Sequence, residues 1–230
     1  MTTSPASFDN SQLIEHVRAS LVTVRNKIGE TGRDPSSVRI VAVTKTFGTE
    51  AVLAAHAAGL TSVGENYLNE LSAKREALAD LAVNWHYLGA LQTNKIGRIA
   101  AVADVVSGVS RAKEIERLAA LTSTVMIDIQ VDVTGMEQRN GAAPADVVKL
   151  VAFARSLGVR VRGLMIVAPP DPVAAQRAFA TVGALADEAG VVERSMGMSD
   201  DYESACRAGS TELRLGRVLF GARVPLTELS

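Results

Sequence analysis

Lys45 closes the run Arg39-Ile40-Val41-Ala42-Val43-Thr44, an apolar stretch without polar alternation that reads as a strand buried on both faces. An ammonium group where such a strand opens into a loop is partly desolvated, which disfavours its charged form and leaves an amine able to attack an aldehyde. That makes Lys45 a candidate Schiff-base lysine. The position equally suits a lysine whose stem covers the sheet rim while its head stays in water. The rest of the chain has to decide between the two.

Two later stretches carry groups suited to an anion. Ser195-Met196-Gly197-Met198-Ser199 leads into a short helix expected near Asp200, which would set the Ser199 hydroxyl beside free backbone N–H groups. Arg214-Leu215-Gly216-Arg217 follows, and Gly216 lacks the side chain that would bar a phosphate from the N–H groups of Gly216 and Arg217. Taken singly, Ser199 is an ordinary helix cap and Arg-x-Gly a common pattern. Their meaning depends on where the fold places them relative to Lys45.

The elements that must position them alternate. An N-terminal helix from Ser11 to about Ile28 precedes strand one; a tail, residues 1–10, is expected to be flexible. Helices are then expected at Glu50–Ala58, Tyr67–Leu81, Thr93–Ala103, Ala112–Leu121, Pro144–Leu157, Pro172–Ala189 and Tyr202–Ala208. Strands two to eight fall at Thr61–Glu65, Val83–Gly89, Asp104–Val109, Thr124–Val131, Val159–Val167, Val192–Met198 and Thr211–Phe220. Alternation of this kind gives parallel right-handed crossovers, and eight strands in 230 residues favour a closed (β/α)8 TIM barrel, an α/β fold, over residues 11–230. Such a barrel builds its ligand site at the C-terminal strand ends and sets strand eight beside strand one. Lys45, Glu65, Asn66, His86, Gly89, Met165, Ser199, Arg214 and Gly216 all fall at or near those ends. An aldehyde-reactive lysine beside a phosphate cradle describes a pyridoxal 5'-phosphate site.

Composition removes other classes. The 24 basic and 25 acidic residues leave a net charge of -1 without single-sign runs, so neither nucleic acid nor an anionic membrane is an expected partner. The start has no apolar segment flanked by basic residues, so neither a signal peptide nor a membrane span is expected there. Cys206 is the one cysteine, which excludes an internal disulfide and makes a reducing cytoplasm the natural compartment. His16, His56 and His86 have no metal-ligand spacing, and no metal is expected.

Seven motifs in order, Val41-Ala42-Val43-Thr44-Lys45, Gly64-Glu65-Asn66-Tyr67, Trp85-His86-Tyr87-Leu88-Gly89, Leu91-Gln92-Thr93-Asn94-Lys95, Arg162-Gly163-Leu164-Met165, Ser195-Met196-Gly197-Met198-Ser199 and Arg214-Leu215-Gly216-Arg217-Val218-Leu219-Phe220-Gly221, resemble the pyridoxal phosphate homeostasis protein family (YggS/PROSC). The resemblance spans about residues 10–223. It implies the barrel of the alanine racemase N-terminal domain without that enzyme's second domain. It also implies a carrier or regulator of free cofactor, without established turnover, that serves PLP-dependent apoenzymes and is a monomer. By the same resemblance Lys45 is the internal aldimine lysine, Ser199 binds phosphate through hydroxyl and N–H, and Gly216 and Arg217 bind it through the backbone. Arg214 would face the pyridine nitrogen, Asn66 would line the pocket near the ring, and Met165 and His86 would form walls.

The chain departs from the family at Arg217, where a Thr or Ser hydroxyl is usual, at Ala90, where His is usual, and at Met136 and Arg139 in the loop 134–139. Arg217 would add a contact if turned inward and leave only its backbone N–H if turned outward. The competing function is a PLP-dependent amino-acid racemase. That chemistry needs a base on each face of the substrate carbon, and Lys45 supplies one. The tyrosines Tyr67, Tyr87 and Tyr202 read as rim or packing residues. A barrel aldolase using Lys45 without a cofactor would leave Ser199, Arg214 and Gly216 with nothing to serve.

Overall fold

The computed structural model describes residues 10–121, 124–136 and 139–221. Among them, eight parallel strands close into a barrel in sequence order: β1 (Arg39–Val43), β2 (Ser62–Glu65), β3 (Asn84–Tyr87), β4 (Val105–Val109), β5 (Met126–Val131), β6 (Arg160–Ile166), β7 (Glu193–Ser195) and β8 (Glu212–Leu215). β1 pairs with β8 through Val41 opposite Arg214 and Ala42 opposite Leu215, so the Lys45 end of β1 and the Gly216 end of β8 are neighbours.

Helices α2 (Thr49–Ala57), α3 (Leu68–Ala77), α4 (Ile96–Val102), α5 (Ala112–Ala119), α6 (Pro144–Ser156), α7 (Pro172–Ala189), α8 (Tyr202–Arg207) and α9 (Arg217–Phe220) follow the strands in turn, and α1 (Asn10–Glu30) precedes them. The core lies between strands and helices, where Phe179, Ile115, Leu71 and Ile96 are fully buried. Each such side chain contributes about 1.5–3 kcal/mol. Helix ends follow local chemistry. α7 begins on Pro172 after Asp171, whose carboxylate accepts the Ala174 N–H at 2.8 Å, and ends on Gly190 in the left-handed region.

Several expected bounds move. Strand eight ends at Leu215, and Arg217–Phe220, expected as its continuation, is the short helix α9. Packing overrides the β propensity of Val218-Leu219-Phe220, because Phe220 turns back onto Phe47 with ring centroids 5.4 Å apart. α3 stops at Ala77 rather than Leu81. The helix expected from Thr93 is a 3-10 turn, Thr93–Lys95, before α4. Strand seven shrinks to three residues. α2 begins at Thr49, one residue before the expected Glu50. Asn10, assigned to the tail, begins α1; residues 1–9 lie outside the described residues.

One irregularity shapes the interior. β6 slips register against β5 between Ile127 and Asp128, so Arg162 is an extra residue before Gly163 pairs with Asp128. A regular strand sends residues three apart to opposite faces; this bulge lets both Arg162 and Met165 face inward. Gly163 makes it possible, since a Cβ there would lie 2.1 Å from the Glu193 carbonyl oxygen.

Candidate functional site

A cavity of about 650 Å³ opens at the C-terminal strand ends, within the usual range for a small-molecule site. Val43 and Lys45 reach it from β1, Asn66 from the end of β2 and Leu88 from that of β3. Met165 and Val167 come from β6, Met198, Ser199 and Asp200 from the segment after β7, and Arg214, Gly216 and Arg217 from β8 and α9. Seven of the eight residues that the resemblance gives to the cofactor, Lys45, Asn66, Met165, Ser199, Arg214, Gly216 and Arg217, thus line one cavity. His86, expected as a wall, does not. It points into the barrel beneath, 1% exposed, because it lies two residues deeper in β3 than Leu88.

Lys45 stands in a turn closed by the Phe47 N–H on the Thr44 carbonyl at 3.1 Å. Thr46, third in that turn, has φ +68°, a place that normally takes Gly or Asn. For a β-branched residue this conformation costs about 1–3 kcal/mol and persists only where the surroundings impose it. α3 supplies them. Glu70 Oε2 accepts the Thr46 N–H at 2.8 Å, and Lys74 Nζ donates to the Thr44 carbonyl at 2.9 Å. Glu65 Oε1 accepts from the Thr44 hydroxyl and from Lys74 Nζ, each at 2.6 Å. Burial pushes the Glu65 carboxyl above its ordinary range, against the pull of Lys74 and Thr44. Its Oε2 is buried with no hydrogen-bond partner. Glu65, expected among the site groups, therefore turns away from the cavity, and Glu70 and Lys74 were missed. Their i,i+4 spacing was visible, but the turn they hold lies in another element.

On β8, the strand next to β1, Arg214 is buried in the cavity wall. Its Nη1 donates to the Ser195 carbonyl (2.5 Å) and Oγ (2.9 Å), and its Nη2 to the Ile166 carbonyl (2.6 Å). Ser195 Oγ in turn donates to Glu212 Oε1 at 2.9 Å. Burial lowers the Arg214 pKa, while the carboxylates of Glu212, Asp128 and Asp201 oppose that.

The anion corner differs in detail from expectation. Asp201, not Ser199, holds the N-cap position of α8, and its carboxylate turns back to accept the Met198 N–H at 2.6 Å. The Ser199 hydroxyl instead crosses to the start of α9 and accepts the Val218 N–H at 3.2 Å. First-turn N–H groups have no acceptor within their helix, so hydroxyl and amides gather at one place. A Cβ on Gly216 would lie 3.1 Å from the Val43 carbonyl oxygen, and glycine keeps this corner open. The Arg217 side chain turns outward and pairs with Asp200 on the rim, both exposed. Its guanidinium does not replace the missing hydroxyl. Ala90 does not line the cavity, and Arg139 Nη1 donates to the Val167 carbonyl at 3.1 Å on its edge; Glu137 and Gln138 lie outside the described residues. Lys45, Arg214 and Arg217 against Asp200 make the lining net cationic. An amine, a buried guanidinium, a hydroxyl and backbone N–H groups fit a ligand with an aldehyde, a ring nitrogen and a phosphate. Among the described residues no group of side chains could hold a metal ion, and no helix is long and apolar enough to cross a membrane.

A sequence model described as alanine racemase, N-terminal domain, matches residues 15–224. The pyridoxal phosphate homeostasis protein of Pseudomonas aeruginosa is 39% identical over 222 residues, covering 93% of this chain and 96% of that protein. The Escherichia coli protein of the same name is 33% identical over 223 residues, covering 89% and 95%. Among solved structures, PipY of Synechococcus elongatus with PLP bound superposes with a TM-score of 0.79 at 32% identity, over 89% of this chain and 100% of that one. Alanine racemase of Corynebacterium glutamicum, 14% identical with a TM-score of 0.72, shares the fold over 91% of this chain and 62% of its own.

Proposed function

This chain belongs to the pyridoxal phosphate homeostasis protein family, and from that premise we propose that it binds pyridoxal 5'-phosphate reversibly at Lys45 and serves the cell's supply of that cofactor without turnover of its own. The observation that carries the reading is the opening of the Lys45 turn, the Arg214 guanidinium and the Ser199–Gly216–Val218 corner into one cavity. When bound, the cofactor supplies an aldehyde that condenses reversibly with a primary amine, beside a phosphate and a pyridine ring.

The chain's own residues have distinct tasks in this reading. Lys45 presents its amine. Ser199 and the backbone of Gly216 and Arg217 hold the phosphate, and the net cationic lining favours its charge. Arg214 keeps a proton off the ring nitrogen, since a fixed cation disfavours a second positive charge beside it. Asn66 and Met165 confine the ring. Absence of turnover is supported by what the cavity lacks. Among the described residues no tyrosine or histidine lines it, and the one carboxylate that does, Asp200, is paired with Arg217 on the rim. Tyr67 is exposed, Tyr87 donates to the Ala90 carbonyl at 3.3 Å, and Tyr202 is buried in α8. Among the described residues the cavity therefore offers no second base for racemisation. The reading further takes the protein to be a cytoplasmic monomer that passes cofactor to PLP-dependent apoenzymes, in keeping with its balanced charge and single cysteine.

The test is a titration with pyridoxal 5'-phosphate followed by visible difference absorption, with either enantiomer of alanine then supplied to the loaded protein. The expected result is a saturable band in the wild type, none in Lys45→Ala at equal melting temperature, and no racemisation. Uptake by Lys45→Ala with the wild-type spectrum, or multiple turnovers of alanine, would refute it.

A further inference from the structure

We propose that Glu70, backed by Lys74 and Glu65, is a positioning residue: it holds the Lys45 turn in its left-handed form and thereby sets the direction and reactivity of the Lys45 amine. The proposal rests on the reading of Lys45 as the cofactor lysine.

Within the turn the Phe47 N–H on the Thr44 carbonyl closes the backbone, and Thr46 is a poor residue for φ +68°. The restraints come from α3 and the end of β2. The residue before Lys45 is gripped twice, its carbonyl by Lys74 and its hydroxyl by Glu65. The residue after it is gripped once, its N–H by Glu70. Lys74 joins the two carboxylates, lying 2.6 Å from Glu65 and 3.5 Å from Glu70. Peptide groups on both sides of Lys45 are thus tied by charge to one helix. A network that only fastened α3 to the sheet would have no need to reach the Thr46 N–H, which faces an exposed turn. Glu70 is partly exposed, so its loss leaves no buried charge, whereas removing Lys74 would strand Glu65 in the core.

The test reads Lys45 directly in the cofactor-free protein. Its acylation by limiting acetic anhydride is followed against pH by peptide mass spectrometry, with Lys149 on α6 as internal reference. Uptake of pyridoxal 5'-phosphate is timed in parallel. Glu70→Ala is expected to change Lys45 labelling relative to Lys149 and to slow uptake about tenfold, the change that follows from losing one hydrogen bond to a charged group. Glu70→Gln, which keeps an acceptor oxygen, is expected to retain most of both. Adding Thr46→Gly to Glu70→Ala is expected to recover part of the loss, because glycine takes positive φ without a Cβ clash. A merely structural role would lower the melting temperature of Glu70→Ala and leave labelling and uptake at 25 °C unchanged, and that result overturns the proposal. If labelling responds as expected but no form takes up the cofactor, the clamp stands and the cofactor reading falls.

Discussion

Arg214 is a buried cation held by neutral groups, the carbonyl and hydroxyl of Ser195 and the carbonyl of Ile166. Among the described residues no carboxylate pairs with it directly; negative charge reaches it through the Ser195 hydroxyl from Glu212. A cation placed so is fixed in direction but not neutralised, which suits it to face a lone pair in the cavity. Arg214→Met keeps much of the side chain's bulk and removes the charge. The expected outcome is at least about tenfold weaker cofactor binding, equivalent to ~1.4 kcal/mol, with a shifted absorption maximum, because the ring nitrogen is then free to take a proton. Unchanged affinity and spectrum in a titration would remove Arg214 from the site. At this scale much was legible in sequence, since Lys45, Ser199 and Gly216, each ordinary singly, fall together at the C-terminal strand ends of one closed barrel. Thr46 was not legible. Its left-handed backbone is imposed by Glu70 from another element, and nothing in Thr-Lys-Thr announces it.

Among the elements, order and type followed from periodicity, and the ends did not. α9 was hidden because an apolar run of three residues, Val218-Leu219-Phe220, fits strand or helix alike, and its fate is decided by Phe220 packing on Phe47. The bulge in β6 was hidden for a similar reason, although Arg162 directly before Gly163 marked the spot. With Arg162 turned inward, its guanidinium meets Asp128 at 2.6 Å and Glu212 at 2.7 Å, and Met165 still reaches the cavity. Gly163 is the joint on which both depend. Gly163→Ala would drive a methyl into the β7 backbone, at an expected cost of about 2–3 kcal/mol and hence a fall of roughly 5–10 °C in melting temperature. Calorimetry of the two forms checks this; equal melting temperatures would mean that β6 and β7 can part without cost.

The whole barrel carries a polar layer under its cavity where most barrels pack aliphatic side chains. Arg162, Asp128, Glu212, Ser107 and Ser195 are joined there by hydrogen bonds, with His86 buried beside them and its Nδ1 unpartnered. Burial lowers the His86 pKa to about 4; Glu212 attracts its proton and Arg162 repels it. Burial would raise Glu212, but the charges of His86 and Arg162, with hydrogen bonds from Arg162 and Ser195, bring it to about 2. Both folded values lie below the ordinary ones. Stability is therefore full above pH 6.5 and falls as pH drops, first because the unfolded chain protonates His86 while the fold does not. Between pH 7 and 5.5 this loss is about 1 kcal/mol. Urea unfolding at the two pH values should show it in the wild type and not in His86→Gln; equal losses would place the dependence elsewhere. This layer joins residues from five strands, which is why single motifs did not foretell it. The cavity above it was foretold, because closing a parallel barrel brings every strand's C-terminal end to one face. Binding of the cofactor at that face is tested most directly by borohydride reduction of the cofactor-loaded protein followed by peptide mass spectrometry. One pyridoxyl group per chain, on the Lys45 peptide, is expected; modification spread over surface lysines, or none at Lys45, would show that the cofactor is not held there.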